Sequence, residues 1–141
     1  MPDHVRFPFF PRPIRQLLGP LRTSAAGMAA QQRFLEVIAA NIANAETTRT
    51  PEGGAYRRAV AVTGRDPETG ALATRTVADE RPGRRVYDPG HPDADADGFV
   101  EYPNVDINNE LVDLMLARRV HEANATVFQA AKSMLRRALE I

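Results

Sequence analysis

Proline is absent from two long windows of this chain, residues 21–50 and 104–141, although eleven prolines occur elsewhere. A proline inside a helix costs about 3 kcal/mol, because it removes a backbone hydrogen bond and clashes with the preceding turn. Long helices are therefore expected only within these two windows. All nine glycines lie at or before Gly98, so the second window also lacks the other common helix breaker.

Apolar residues recur at helical spacing in both windows, which predicts helices over residues 23–46 and 107–140. Each helix would carry one apolar stripe, and we expect the two stripes to pack together and to provide the self-assembly surface. The stripe residues are Leu21, Met28, Leu35, Ile38 and Ile42 in the first helix and Leu111, Leu114, Val127, Phe128 and Leu135 in the second.

The segment between the helices is rich in turn-forming residues. Alternation over residues 56–63 and a second extended run over residues 72–78 predict a β-hairpin. Irregular structure with at most one short strand is expected over residues 86–103. The middle of the chain is therefore predicted to be a small β insert.

Residues 1–20 contain five prolines and three phenylalanines and are predicted to be an extended segment. The predicted fold class is mainly α. Helical segments 21–46 and 107–141 would form one assembly domain, in which they pair as a coiled coil, with residues 47–106 as the insert of hairpin and loops.

Two paired helices bury one seam and leave its flanks exposed, so another copy or a partner is expected to cover them.

The charges are also unevenly placed. From Asp88 to Asp113 there are eight acidic residues and no Lys or Arg, whereas residues 114–141 carry five basic residues against two acidic ones. Opposed charge blocks suit head-to-tail contacts between subunits, although ordinary solvated faces explain them equally well.

The composition excludes several classes of protein. Eighteen basic and eighteen acidic residues give a formal net charge of zero, unlike the basic excess of a nucleic-acid binder. No apolar run approaches the roughly 18 residues that a membrane-spanning helix needs. Cysteine is absent, which excludes disulfides and thiolate zinc sites. Because no nucleophile elbow, P-loop or similar motif occurs, neither an enzyme nor a cofactor is expected.

The sequence D-x-D-x-D-G, formed by Asp93, Asp95, Asp97 and Gly98, resembles the opening of a calcium-binding loop. Calcium needs a bidentate Glu at position 12 of such a loop, and Asn104 stands there instead. We interpret the stretch as a solvated acidic turn without a metal, and we expect Asp95→Ala to be close to neutral.

Asn41 and Asn44 are unusual in a predicted helix, because Asn competes with the helical backbone for hydrogen bonds. Two interpretations are open. The amides either end the helix and cap the following loop, or they bridge helices in an assembly and fix their register, as buried Asn does in coiled coils.

Three stretches resemble the signatures of the bacterial flagellar rod and hook family. SAAGMAAQQRFLEVIAANIANAETTRTPEGGAYRR, from Ser24, has the small-residue helix start, the N-I-A-N helix end and the Thr-rich loop of that family. VYDPGHPDADADGFVEYPNVDI and EANATVFQAAKSMLRRALEI are similar to its central signature and its closing helix. The signature residues in the loops and helix ends are Asn41, Asn44, Thr48, Pro89, Gly90, Pro103, Asn104 and Asn124.

The resemblance implies a structural protein that polymerises into the proximal part of the flagellar rod, in the periplasm, and transmits torque for motility. It implies paired terminal helices and a helical assembly with other copies and with other rod proteins. It further implies passage through the flagellar type III export apparatus without a cleaved signal peptide.

The N-terminal segment departs from the family, whose members usually begin a short distance before the first helix. Early export substrates of this family carry a Phe followed four positions later by a hydrophobic residue. Phe10 and Ile14 have this spacing and are the expected export element.

Two other functions stay open at this point. One is a self-associating helical adaptor outside the flagellum. The other is a calcium-dependent binding module that uses the loop of residues 93–97.

Overall fold

The computed structural model describes residues 12–68, 70 and 72–140, with side chains from Leu18 onward. The predicted layout of two long helices around a small β insert is confirmed. The elements in chain order are α1 (Arg12–Ala43), β1 (Ala59–Arg65), β2 (Leu72–Ala78), β3 (Arg85–Tyr87), β4 (Phe99–Glu101) and α2 (Ile107–Glu140).

Helix α2 has the bounds that the proline-free window predicts. Its first turn is capped by Asp106, whose Oδ1 accepts the backbone N–H of Asn108 at 2.9 Å and that of Asn109 at 3.3 Å. Glu110 lies in the first turn and Arg137 in the last, and both charges suit the helix dipole. Local sequence therefore explains the start of this helix.

Helix α1 begins well before its predicted start, and the prediction of an extended segment over residues 1–20 is wrong for residues 12–20. Pro13 lies in the first turn, where a backbone N–H has no partner inside the helix, so proline is tolerated there. Pro20 does lie inside the helix and removes one hydrogen bond. The helix continues because its next residues pack, with Leu21 half-buried and Ser24 buried.

The two helices pack against each other in antiparallel directions. Asn41 contacts Glu110 near one end of the pair, and Gly27 faces Asn124 an equal number of residues away on each helix. A Cβ atom on Gly27 would lie 3.0 Å from Asn124 Nδ2, so the backbones come close at this point. The absence of a side chain at Gly27 permits this approach.

Strands β1 and β2 form the predicted hairpin, with antiparallel pairing from Ala59 opposite Ala78 to Arg65 opposite Leu72. Both strands also contact α1, so α1 has α2 and the hairpin as its two packing partners. Ala61 is the buried side chain of β1.

Residues 85–101 contain two short strands, where at most one was expected. Strands β3 and β4 pair antiparallel, with Val86 opposite Val100, and Val100 is fully buried. Just before β3, a Cβ atom on Gly83 would lie 1.8 Å from the carbonyl oxygen of Tyr102. The chain can therefore pass this point only with glycine.

Candidate functional site

A buried polar cluster joins the end of α1 to the start of α2. At its centre is Asn41, which is almost fully buried. Its Nδ2 donates to Glu110 Oε2 at 3.1 Å and to the carbonyl oxygen of Ala59 at 2.8 Å. Its Oδ1 accepts the N–H of Ala59 at 2.8 Å and the hydroxyl of Tyr56 at 3.0 Å. Every donor and acceptor position of this amide is therefore used inside the subunit.

Glu110 is fully buried, and its charge is balanced by Arg58. Arg58 Nε donates to Glu110 Oε1 at 2.5 Å, and Arg58 Nη2 lies 3.6 Å from Asp113 Oδ2. Burial raises the pKa of the Tyr56 phenol, and the negative charge of Glu110 raises it further. We refer to Asn41, Tyr56, Arg58 and Glu110 as the polar cluster.

The polar cluster fixes how α1, β1 and α2 meet. Sliding one element past another would leave Glu110 or Asn41 buried without partners, at a cost of about 1–3 kcal/mol for each neutral group and more for a charge. Of the two interpretations of Asn41, the structure has it bridging helices, but within one subunit rather than between subunits.

Glu110 was not singled out from the sequence, where it resembled an ordinary acid in the first turn of a helix. A signal was nevertheless present. Glu110 stands four residues before Leu114 and seven before Ala117, so it occupies a position of the α2 face that packs on α1. That face consists of Glu110, Leu114, Ala117, His121, Asn124, Phe128, Ala131 and Leu135, all buried or half-buried.

The predicted stripe of α1 faces inward along its length. Ile38 is buried, and the other four members, Leu21, Met28, Leu35 and Ile42, are half-buried. On α2 the prediction of one buried stripe is partly wrong, because Leu111 is 40% exposed and Val127 is 50% exposed. Both residues lie beside the packed face and not on it.

Helix α2 instead carries a second apolar face. Each of its residues is exposed, and each directly precedes a residue of the packed face, which corresponds to a rotation of about 100° around the helix. The spacing alternates between four and three residues, as in the seam of a coiled coil. This second face consists of Leu116, Val120, Ala123, Val127, Ala130 and Met134.

Asn104 ties the β insert together next to the polar cluster. Its Oδ1 accepts the backbone N–H of Arg58 at 2.8 Å. Its Nδ2 donates to the carbonyl oxygens of Asp79 at 3.0 Å and Arg81 at 2.9 Å. The amide thus holds the start of β1 against the chain that follows β2.

The acidic turn is organised by its own carboxylates. Asp93 accepts a hydrogen bond from the Thr48 hydroxyl at 2.8 Å and pairs with Arg49 at 3.1 Å. Asp95 Oδ1 accepts the backbone N–H groups of Asp97 and Phe99 at 3.0 and 2.9 Å.

Asp95 Oδ2 also pairs with Arg85 at 2.5 Å. The hydrogen bond from the Phe99 N–H, with a further contribution from Arg85, holds the pKa of Asp95 below its ordinary value. Within residues 12–68, 70 and 72–140, no three His, Asp or Glu side chains are grouped so that they could hold a metal ion. The carboxylates of Asp93 and Asp95 have protein partners, and the calcium hypothesis gains no support.

The other signature residues serve local structure. Asn44 Nδ2 donates to the Ala40 carbonyl at 2.8 Å at the end of α1, and Pro103 is buried. Asn124 is half-buried opposite Gly27, and Pro89 and Gly90 are exposed in the turn between β3 and the acidic turn. Of the export element, Phe10 lies outside the described residues, and only the backbone of Ile14 is described, in α1.

Profiles of two known protein families match the two end regions of the chain. A profile of flagella basal body rod proteins matches residues 21–49, and a profile of the C-terminal region of flagellar basal body rod FlgEFG proteins matches residues 96–141. The flagellar basal-body rod protein FlgC of Borreliella burgdorferi is 35% identical, with 89% of this chain and 97% of the relative covered. This chain belongs to the FlgC family.

Two further FlgC proteins are similar over nearly the same share of this chain and of their own length. That of Salmonella typhimurium is 37% identical over 89% of this chain and 97% of its own length. That of Bacillus subtilis is 34% identical over 86% of this chain and 95% of its own length. As a member of the FlgC family, the chain is a structural subunit of the rod in the flagellar basal body, and the two alternative functions are not supported.

The two family profiles cover the elements that form the helix pair. The first spans α1 from Leu21 and the first part of the loop that follows it, and the second spans β4 and α2. The hairpin of β1 and β2 lies between them. In the described part of the chain, no helix is both long and apolar enough to cross a membrane.

Proposed function

We propose that this subunit assembles with copies of itself and with other rod proteins through the second face of α2. The assembled helices would form a coiled coil in the proximal rod, in the periplasm, and would act mechanically rather than catalytically. The single observation that carries the proposal is the heptad-like spacing of an exposed apolar face that extends for about 27 Å, at 1.5 Å per residue.

Exposed apolar faces of this kind mark interaction surfaces. A helix that shows one apolar face to its own partner and another about 100° away can take part in two seams at once. An assembly of such helices buries the second face of every subunit. The exposed second face thus supports the proposal that α2 is an inter-subunit element.

The polar cluster supports a role in torque transmission. A subunit that carries load must keep the angle between its helices, and a fully bonded buried network has one arrangement in which all its members are satisfied. Asn41 and Glu110 would therefore keep the helix pair and the hairpin in a fixed relation while neighbouring subunits turn.

The test replaces Val127 by Asp in a strain that lacks its own copy of the gene. Val127 is half exposed in the subunit, so the isolated protein should keep its helical content and its unfolding midpoint. Burial of an unpaired carboxylate in a seam between subunits should prevent rod formation and motility. Swimming assays and electron microscopy of basal bodies measure both outcomes.

Gln129→Asp is the matched control, because Gln129 is also exposed on α2 but belongs to neither apolar face. We expect this variant to swim and to build rods normally. If Val127→Asp builds normal rods, the second face is not an assembly surface and the proposal fails.

We also propose that the flagellar type III export apparatus delivers the subunit and that it recognises Phe10 and Ile14 while the chain is unfolded. The spacing of these two apolar residues supports this role. In the folded subunit the backbone of Ile14 is helical, so recognition would have to precede folding. The double variant Phe10→Ala with Ile14→Ala should remain in the cytoplasm, whereas normal secretion of that variant would refute the proposal.

A further inference from the structure

A groove of about 270 Å³ lies where α1, β1 and α2 meet. Its lining is mostly apolar, and Asn41, Arg58 and Glu110 of the polar cluster also line it. The apolar walls come from all three elements: Phe34 and Ile38 from α1, Val60 from β1, and Leu116 and Val120 from α2.

The dimensions and chemistry of the groove suit an aromatic side chain. An apolar cavity of about 150 Å³ is known to accept benzene, so this groove has room for a ring and part of its backbone. Sites of this type combine apolar walls with a few polar groups that fix the orientation of the guest. Asp113 lines the same groove with its side chain half exposed and supplies a negative charge there.

The N-terminal residues of the chain have the complementary chemistry. Residues 7–11 read Phe-Pro-Phe-Phe-Pro, directly preceded by Arg6. Prolines reduce the conformational freedom that an extended segment loses when it binds. Aromatic side chains contribute large contact areas in interfaces, and the charge of Arg6 is opposite to that of Asp113.

The chain length decides which groove this segment can reach. Phe7 is five residues before the start of α1 at Arg12, which allows a reach of at most about 18 Å. Phe34 lies 22 residues into the helix, about 33 Å from that start at 1.5 Å per residue. The segment is therefore too short for the groove of its own subunit and can bind only in another copy.

We infer that the groove binds the Phe-Pro-Phe stretch of residues 7–9 from a second copy of this chain, with one of its two rings inside the groove. The inference rests on the proposed assembly, since Leu116 and Val120 belong both to the groove and to the second face of α2. When two copies associate through their second faces, other parts of the neighbouring copy come close to the opening of the groove. The contact joins opposite ends of the molecule, which is the kind of contact that can propagate along a filament.

Photo-crosslinking of the full-length protein tests this inference directly. Phe9 is replaced by the photoreactive residue benzoylphenylalanine, and the protein is mixed with an isotope-labelled unmodified copy at a concentration where sedimentation shows association. The expected cross-links join labelled to unlabelled chains and fall on groove residues such as Phe34, Val60 and Val120. Cross-links within one chain only, cross-links between copies at other surfaces, or none would overturn the inference.

Sedimentation of variants gives a second readout. The double variant Phe7→Ala with Phe9→Ala should raise the dissociation constant for self-association at least about tenfold, as loss of an anchoring contact does. The control Val5→Ala should leave it unchanged. Phe10 and Ile14 are kept in these variants, so the proposed export element is not altered.

A matched pair of substitutions on strand β1 tests the groove itself. Val60→Ser should abolish the groove cross-links, whereas Val62→Ser should not, because Val62 is exposed on the same strand and does not line the groove. If Val127→Asp abolishes association but the aromatic and groove variants do not, only this inference fails. If the unmodified protein does not associate at any concentration, the proposed assembly fails together with it.

Discussion

The side-chain amide of Asn41 donates to the carboxylate of Glu110 over 3.1 Å and so joins residues that lie 69 positions apart in the sequence. Both side chains are buried at the junction of α1 with α2. Arg58, which directly precedes strand β1, forms a salt bridge with Glu110 and neutralises its charge. The helix pair is therefore held at this end by polar contacts in addition to the buried apolar side chains of Ile38 and Ala117.

Asn41→Ala should destabilise the isolated subunit by about 3 kcal/mol. The substitution removes four hydrogen bonds and leaves the buried Glu110 and the half-buried backbone of Ala59 with unmet bonds. Urea denaturation measures the loss. Asn44→Ala is the control, because Asn44 makes exposed local hydrogen bonds at the helix end, and its substitution should cost about 1 kcal/mol or less. Equal losses for the two variants would contradict a special role for Asn41.

Ionisation of Tyr56 should lower the folding stability of the subunit in alkali. The pKa of its phenol is raised in the folded state. The protonated phenol therefore contributes fully to folding stability below pH 10, the ordinary pKa of a phenol. This stabilisation is lost as the pH rises through the pKa of the folded state. Ultraviolet titration should show the late ionisation of the Tyr56 phenol, and Tyr56→Phe should remove that signal. The control Tyr87→Phe, at a phenol 65% exposed, should leave the late ionisation in place.

Gly83→Ala should destabilise the subunit by about 3 kcal/mol or more, since the new methyl group would meet the Tyr102 carbonyl and the backbone would have to move. Gly64→Ala provides the comparison, because no atom lies within 4 Å of a Cβ atom built there. Thermal unfolding of the two variants should differ clearly. Similar midpoints would show that the chain near Gly83 can shift without cost.

Asp95→Ala should lower the unfolding midpoint, contrary to the expectation that a solvated turn makes it neutral. Its carboxylate accepts two backbone N–H groups and pairs with Arg85, and these contacts hold the turn that leads into β4. Asp97→Ala is the control within the same turn and should have a smaller effect. Added calcium should not change the midpoint of the unmodified protein, and a calcium-dependent rise would restore the hypothesis of a metal site.

The sequence predicts the elements that depend on local rules. The start of α2 follows from the cap at Asp106 and its uninterrupted length from the absence of proline and glycine, and the hairpin follows from its alternating pattern. The start of α1 could not be predicted by proline counting, because Pro13 occupies a first-turn position where proline is harmless and one lost bond at Pro20 is tolerated. Helix packing decides such cases, and packing is not a local property.

The polar cluster was predicted only in part, for a related reason. Asn41 is conspicuous in the sequence, but its partners come from a hairpin and from a helix that lie far along the chain. The second face of α2 could be separated from the packed face only when the structure had shown which residues α1 covers. A sequence pattern contains both apolar faces but does not say which one has its partner within the subunit.

Gly27 and Asn124 lie near opposite ends of the described chain and yet face each other in the helix pair. Closing so long a loop costs entropy before any helix contact compensates for it, and proteins dominated by such distant contacts fold slowly. The helix pair should thus be the last part of the subunit to form. A newly made chain would remain unfolded, and so able to pass through a narrow channel, for longer than a protein of this size whose contacts are local.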